Sequence, residues 1–186
     1  MKRLLLVSLG CLAMVAAPMA RQGGQMAAAE PTLKVGDKAP DFSLMGSDGK
    51  MHSLSDYKGK HVVLAWFPKA MTTGCTQECK SITENGEALK GFDVAYFMVS
   101  VDTPELNKQF AERDGANFPL LSDPDKKVAT AYGVLGRSGL ANRWTFYIGP
   151  DGKLIKVDTD GAKHTLTAGP DLIASLNALN VPKKKI

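Results

Sequence analysis

Apolar stretches in the middle of the chain predict the buried strands of a sheet. Residues 62–67 form an apolar run that is long enough for one buried strand and too short for a typical helix. Residues 92–101 are strongly apolar and alternating, which predicts a second buried strand. Residues 118–122 and 143–148 predict two further strands, the first of them short.

Helical patterns alternate with these strands. The composition of residues 75–89 suits a helix, which an Asn-Gly pair near its end can shorten or bend. The sequence DTPE at residues 102–105 predicts the start of a second helix, because proline favours the first helical position. Residues 126–132 and 171–179 predict two more helices.

Tight-turn signals near both ends of the chain predict hairpins. SDGK at residues 47–50 separates two short strands, and Asp151-Gly152 follows the strand of residues 143–148. Strands that alternate with helices pair in parallel, whereas hairpins add antiparallel strands at the edges. The order predicts an α/β fold with an N-terminal β-hairpin and a mixed central sheet flanked by helices on both faces.

Composition narrows the class of protein without identifying it. The 186 residues are 44% hydrophobic and 23% charged, which is ordinary for one globular domain. The net charge of +4 is dispersed, and no stretch combines clustered Arg or Lys with aromatic residues. We therefore expect no nucleic-acid partner.

The start of the chain resembles a leader segment. Lys2 and Arg3 precede an apolar segment and then small residues, a pattern typical of a secretory signal peptide. Residues 1–29 are predicted to be the signal peptide and processing region, with cleavage after Ala20 or after Ala29. One domain, residues 30–186, remains.

The predicted leader determines the expected compartment and the cysteines of the mature chain. Export implies an oxidising compartment, and the expected location is the periplasm. Cys11, inside the apolar segment, loosely resembles a lipoprotein attachment site. Removal of the leader leaves Cys75 and Cys79, and we expect no stable membrane association of the mature chain.

Cys75 lies where the strand of residues 62–67 turns into a helix. Pro68 stops the strand, because proline has no backbone N–H to give to a sheet. The first N–H groups of a helix lack internal partners, and the helix dipole adds partial positive charge there. Both stabilise a thiolate, so Cys75 is a candidate nucleophile. The alternative is a small buried apolar residue, the usual place of a free cysteine.

Thr72 and Arg143 are candidates to extend this site to peroxide chemistry. A thiolate that attacks a peroxide needs hydrogen bonds to both oxygens. Thr72 lies three residues before Cys75, and Arg143 offers several donors and a permanent charge. Taken singly, Thr72 could be a loop or capping residue and Arg143 a solvent-facing strand residue.

Together, Pro68, Thr72 and Cys75 form P-x-x-x-T-x-x-C, the active-site signature of the peroxiredoxins. The chain resembles this family over residues 33–180, and its motifs look like those of the bacterioferritin-comigratory or Q-type branch. The other matching stretches are Ala39-Pro40-Asp41-Phe42, Asp56-Tyr57-Lys58-Gly59-Lys60, Phe67-Pro68-Lys69-Ala70, Gly74-Cys75-Thr76, Phe118-Pro119-Leu120-Leu121-Ser122-Asp123 and Arg143-x-Thr145-Phe146.

The resemblance implies a thioredoxin-like fold and a thiol peroxidase that reduces hydrogen peroxide and organic hydroperoxides without metal or organic cofactor. It implies that Cys75 is the peroxidatic cysteine, which is oxidised to a sulfenic acid. Thr72 and Arg143 would activate the thiolate and orient the peroxide, and Pro68 would shield the pocket. A thioredoxin-like or other thiol would be the reductant, and we expect a monomer.

Cys79 departs from the pattern of the branch, in which four residues often separate the two cysteines. Here three residues separate them, and positions i and i+4 of a helix have Cβ atoms about 5–6 Å apart. A disulfide needs a separation of about 3.5–4.5 Å. We hypothesise that the first turn unwinds after oxidation, so that Cys79 resolves Cys75. The competing hypothesis is that an external thiol resolves Cys75.

Two other classes of exported protein are alternatives. Copper-assembly proteins of the Sco type also carry C-x-x-x-C and a distant histidine, for which His164 is the candidate here. That chemistry does not require Thr72 or Arg143. A thiol–disulfide oxidoreductase normally uses C-x-x-C, which this chain lacks.

Overall fold

The computed structural model describes residues 32–184. The predicted leader, both candidate cleavage sites and Cys11 lie outside these residues. Within them, no helix is both long and apolar enough to cross a membrane.

Seven strands form one mixed sheet in the order β2-β1-β5-β4-β3-β6-β7. The central pairs β3–β4 and β4–β5 are parallel, and the remaining pairs are antiparallel. This confirms the predicted mixed sheet with hairpins at its edges. The strands are β1 (Ser43–Gly46), β2 (Met51–Ser53), β3 (His61–Trp66), β4 (Val94–Ser100), β5 (Leu120–Ser122), β6 (Thr145–Ile148) and β7 (Leu154–Asp158).

Five α-helices alternate with these strands. Two short 3₁₀ segments, Leu54–Tyr57 and Gly161–Lys163, complete the described elements. The α-helices are α1 (Thr73–Glu84), α2 (Gly86–Lys90), α3 (Pro104–Asp114), α4 (Lys127–Ala131) and α5 (Ala168–Ala178).

Two of the predicted helices, residues 75–89 and 171–179, differ in extent from the observed ones. The helix predicted for residues 75–89 is two helices, because Asn85 ends α1 and Gly86 begins α2. The last helix begins at Ala168 rather than Asp171, with Pro170 as its third residue, where a missing N–H costs no intrahelical hydrogen bond.

Alternate residues of β3 point to opposite faces of the sheet, and each face is covered by helix. Val62, Leu64 and Trp66 pack on the face that carries α4. Val63 and Ala65 pack on the other face, against α1, α3 and α5. Helices therefore cover both faces, as predicted, and β3 lies in the middle of the core.

Candidate active site

Cys75 lies in the first turn of α1, directly after the central strand. β3 ends at Trp66, a loop follows, and α1 begins at Thr73. The predicted strand-to-helix junction is confirmed, although the helix starts two residues earlier than predicted. The Cys75 side chain is only 1% exposed, within the apolar cluster of the helical face. Its thiol is thus partly desolvated and close to the N-terminal end of the helix dipole.

Side-chain hydrogen bonds hold the loop that leads into α1. The Asp102 carboxylate, just after β4, accepts a hydrogen bond from the Ala70 N–H at 2.8 Å. The Thr72 hydroxyl donates to the Lys69 carbonyl at 2.9 Å. Between them, Met71 takes a left-handed conformation with φ of 66°. The direction of the first turn of α1 is therefore set by contacts on both sides of Met71.

Arg143 brings a permanent positive charge to Cys75. Its Nη2 donates to Cys75 Sγ at 3.2 Å. Sheet pairing explains the approach, because β6 is antiparallel to β3 and the Trp66 N–H bonds to the Trp144 carbonyl. The sequence predicted that Arg143 begins this strand, but β6 starts two residues later, at Thr145. The structure thus places Arg143 against Cys75, a contact that the sequence alone could not establish.

Glu78 fixes the Arg143 guanidinium from the other side. Arg143 Nη1 donates to Glu78 Oε2, and the two side chains are only 10% and 6% exposed. A buried carboxylate with such a partner locks the guanidinium, whose remaining Nη2–H points to sulfur. Sequence reasoning missed Glu78. The available signal was an acidic residue one turn after Cys75, on the buried face of the helix.

Gly161 makes room for Arg143, and Gly74 lies beside the same side chain. A Cβ added at Gly161 would lie 2.7 Å from the Arg143 carbonyl oxygen, and one added at Gly74 would lie 3.4 Å from Arg143 Nη2. The Gly161 value is shorter than any normal contact, so only glycine fits there without a shift. The 3₁₀ segment that begins at Gly161 thus packs directly on Arg143, a contact that the sequence did not reveal.

Cys79 lies one helical turn after Cys75 and is fully buried. Both thiols are free, as expected for positions i and i+4 of an intact helix. Burial, and after it the Asp114 carboxylate, raises the pKa of the Cys79 thiol to about 12. Cys79 is therefore protonated in the closed helix and has little nucleophilic character.

Pro68 and Thr72 lie in the segment between β3 and α1. Thr72 is the residue before α1, and its exposed hydroxyl bonds to Lys69 rather than to Cys75. Pro68 is half-buried and lines an open pocket of about 490 Å³ together with Gly74, Leu140, Ala141 and Arg143. The pocket gives solvent access to the Arg143 guanidinium.

The donor set of the described residues does not favour a metal. Within residues 32–184, no three or more His, Cys, Asp or Glu side chains form a group that could hold a metal ion. His164, the ligand considered for copper, instead lies 3.2 Å from the Asp171 carboxylate and is half-exposed. A cysteine beside a locked guanidinium is an arrangement for stabilising a thiolate and an oxyanion.

Comparisons with known proteins agree with this geometry. The AhpC/TSA family model matches residues 35–157. Peroxiredoxin Bcp of Escherichia coli K12 is 39% identical over 135 residues, which cover 69% of this chain and 86% of the relative. Peroxiredoxin Bcp of Bacillus subtilis 168 is 39% identical over 132 residues, which cover 67% and 84%. No support for the copper or oxidoreductase alternatives comes from these matches.

A solved structure extends the similarity to three dimensions. The crystal structure of peroxidoxin BcpB from Mycobacterium tuberculosis superposes with a TM-score of 0.70 at 31% identity, over 79% of this chain and 98% of that one. The fold is thus the thioredoxin-like fold of peroxiredoxins. The chain belongs to the AhpC/TSA family, as a thiol-dependent peroxidase of the bacterioferritin-comigratory, or Q-type, branch of the peroxiredoxins.

Proposed function

We propose that the chain reduces hydrogen peroxide and organic hydroperoxides through a sulfenic acid formed on Cys75. The observation that carries this proposal is the Arg143 Nη2 donor, 3.2 Å from Cys75 Sγ. Because Glu78 holds the guanidinium, this donor does not need to reorganise during the reaction.

In the first step, the Cys75 thiolate attacks one peroxide oxygen. An S–O bond forms while the O–O bond breaks, and the second oxygen leaves as hydroxide or alkoxide and takes a proton to give water or an alcohol. Arg143 is positioned to stabilise both the thiolate and the negative charge that develops on the oxygens. The N-terminal end of the α1 dipole acts in the same direction.

We assign to the Thr72 hydroxyl the role of orienting the peroxide. Its hydrogen is donated to the Lys69 carbonyl, so its lone pairs are available to accept the peroxide O–H. Pro68 is assigned the shielding of the pocket. The small and apolar residues that share this pocket, among them Leu140 and Ala141, suit the alkyl group of an organic hydroperoxide.

We assign to Cys79 the role of resolving cysteine, which forms a disulfide with oxidised Cys75. The intact helix keeps the two sulfurs from bonding, so the turn of α1 that contains them must unwind first. Unwinding also exposes Cys79 to water, which lowers its pKa from about 12 toward the ordinary value and supplies a reactive thiolate. A thioredoxin-like dithiol then reduces the disulfide. The competing proposal, resolution of Cys75 by an external thiol, leaves Cys79 reduced throughout.

The location and assembly proposed here rest on the sequence of the leader and on the branch. We assign the mature chain to the periplasm, as a monomer without stable membrane association. Fractionation of cells that express the full chain, followed by N-terminal sequencing of the mature product, tests the location and the choice between Ala20 and Ala29. Retention of the chain in the cytoplasm would contradict the periplasmic location.

Peroxide-consumption kinetics with a thioredoxin-type donor test the assignment of the cysteines. We expect loss of the peroxide reaction in Cys75→Ser, whereas Cys79→Ser should keep the first step and lose turnover with this donor. If the Cys79→Ser protein loses its reaction with peroxide while Cys75→Ser retains it, the assignment is wrong.

A further inference from the structure

The last turn of α3 contacts α1 between the two cysteines. Arg113 Nη2 donates to Thr76 Oγ1 at 2.6 Å, a contact between residues 37 positions apart in the chain. Thr76 directly follows Cys75 and precedes Cys79 by three residues. Any unwinding of this turn that moves Thr76 must therefore break the hydrogen bond to α3.

Arg113 is itself held in place by its neighbours on α3. Its Nε donates to Asp114 Oδ1 at 3.0 Å, and its Nη2 donates to Asp114 Oδ2 at 2.7 Å. The guanidinium also lies 5.4 Å from the centre of the Phe110 ring. A guanidinium with this many partners is ordered before it meets Thr76, so little side-chain entropy opposes the contact.

Asp114, which holds Arg113, also affects the pKa of Cys79. Its side chain is only 4% exposed, and its negative charge is the second cause, after burial, of the raised pKa of the Cys79 thiol. Arg113 thus ties down Thr76, and Asp114 holds Arg113 and disfavours the thiolate of Cys79, an effect that the Arg113 charge partly offsets. We call these two residues the α3 clamp.

We propose that the α3 clamp sets the rate at which α1 opens after Cys75 has been oxidised, and hence the rate of disulfide formation. This inference rests on the proposed resolution of Cys75 by Cys79. Gln77 and Glu78 also tie this turn to other elements, through Thr165 at 3.3 Å and through Arg143. The Arg143 contact belongs to the peroxide site, whereas the Arg113 hydrogen bond is made to Thr76, and we expect its loss to leave the first step unchanged.

The step that the clamp controls is balanced without an outside reductant. The Cys79 sulfur attacks the sulfur of the Cys75 sulfenic acid, an S–S bond forms, and the S–O bond breaks. The hydroxide that leaves combines with the Cys79 proton to give water. While the helix stays closed, a second peroxide can instead oxidise the sulfenic acid to a sulfinic acid. A tighter clamp therefore favours overoxidation.

The test is a single-turnover comparison of Thr76→Val with wild type. Valine keeps the branched shape of threonine and removes only the hydroxyl that Arg113 binds. We expect sulfenic acid formation at the wild-type rate and disulfide formation about three- to tenfold faster, the range for loss of one partly exposed, charge-assisted hydrogen bond. Overoxidation at high peroxide should fall in proportion. Rapid alkylation and peptide mass spectrometry measure all three.

Two variants separate the clamp from a general effect on folding. Thr76→Ser keeps the hydroxyl and should restore the wild-type rate of disulfide formation. Lys108→Ala removes an exposed 3.9 Å ion pair with Glu112 on the same helix and should change neither step. Paired replacement of the clamp, Arg113→Gln with Asp114→Asn, should accelerate disulfide formation at least as much as Thr76→Val.

The possible failures of this test have different meanings. If wild type forms the Cys75–Cys79 disulfide and Thr76→Val forms it no faster, the clamp is wrong and resolution by Cys79 stands. If wild type forms no such disulfide, the proposed resolution by Cys79 is wrong, and the proposed role of the α3 clamp is wrong as well. Hydrogen exchange of the α1 amides gives a second reading, because the clamp requires faster exchange in Thr76→Val than in Thr76→Ser.

Discussion

Cys75 and Cys79 lie one turn apart on the same helix, and both are buried, but their charged neighbours differ. Cys75 accepts a hydrogen bond from the Arg143 guanidinium, whereas Cys79 lies near the Asp114 carboxylate, which helps to raise its thiol pKa to about 12. Identical side chains with similar exposure thus have different hydrogen-bonding and charged neighbours, from which we expect different reactivity. Burial alone does not distinguish a nucleophile from a resting thiol.

The comparison also explains why the order of events matters. In the closed helix, Cys75 accepts a hydrogen bond from the Arg143 guanidinium, whereas burial and the Asp114 carboxylate favour the neutral form of Cys79. Opening the helix removes both environments at once, because Cys75 leaves Arg143 and Cys79 becomes hydrated. We therefore expect peroxide to react with the closed form and the disulfide to form in the open one.

The largest effect is expected when Cys75 itself is changed. Cys75→Ser should lower the rate of peroxide reduction by about a thousandfold or more, because a serine hydroxyl is not ionised near neutral pH and burial keeps the Cys79 thiol protonated, with its pKa raised to about 12. Stopped-flow competition with a peroxidase of known rate measures this. Cys79→Ser is the matched control, and its first step should match that of wild type.

Replacement of Arg143 is expected to have the next largest effect on the rate of peroxide reduction. Arg143→Lys keeps the charge but cannot bind Glu78 and Cys75 with two separate nitrogens. We expect the second-order rate constant with hydrogen peroxide to fall about a hundredfold, the magnitude typical of losing a preorganised donor. A rate within a factor of about two of wild type would show that the charge alone is sufficient.

Glu78 should have a smaller effect on rate together with an effect on stability. Glu78→Gln preserves shape but removes the charge that fixes Arg143, so we expect a loss of about tenfold in the first step. Leaving Arg143 buried without its carboxylate should also lower the free energy of unfolding, by about 2 kcal/mol. Urea denaturation measures the second effect. Glu84→Gln, an exposed position near the end of the same helix, is the control and should change neither quantity.

The smallest expected effect concerns Cys79 at alkaline pH. Its pKa is raised from an ordinary 9.0 to about 12 in the folded chain. The folded state therefore binds the proton more tightly than the unfolded state, and this contribution to stability is complete below about pH 9 and is lost as the pH rises toward 12. Cys79→Ala should lose less unfolding free energy than wild type between about pH 8.5 and pH 10.5. Parallel pH profiles in urea denaturation would contradict the assigned shift.

The fold was predictable because the pattern of buried strands and turn residues is local. Residues 62–67 and 92–101 were predicted as strands, and β3 and β4 differ from them only at the ends. The division between α1 and α2 falls at the Asn85-Gly86 pair that the sequence marked as a possible break, and a distant contact supports it. Asn117 Nδ2 donates to the Thr83 carbonyl, and a Cβ on Gly86 would lie 2.2 Å from that same nitrogen.

The candidate site was predictable only where its residues share a recognisable spacing. Pro68, Thr72 and Cys75 lie in one motif, and Arg143 followed from the chemistry that a peroxide site requires. Glu78 and Asp102 could not be assigned in advance, because one acts through Arg143 and the other through the Ala70 N–H. Such supporting roles depend on which groups the sheet brings together, and no local pattern encodes them.

The most direct measurement is peptide mass spectrometry after one equivalent of hydrogen peroxide, with rapid alkylation of the remaining thiols. The account predicts a disulfide between Cys75 and Cys79 in wild type, a sulfenic acid on Cys75 in Cys79→Ser, and an unmodified Cys79 in Cys75→Ser. Wild type that carries a lasting sulfenic or sulfinic acid on Cys75, with Cys79 alkylated, would contradict resolution within α1. Oxidation of Cys79 in the Cys75→Ser protein would contradict the division of roles between the two cysteines.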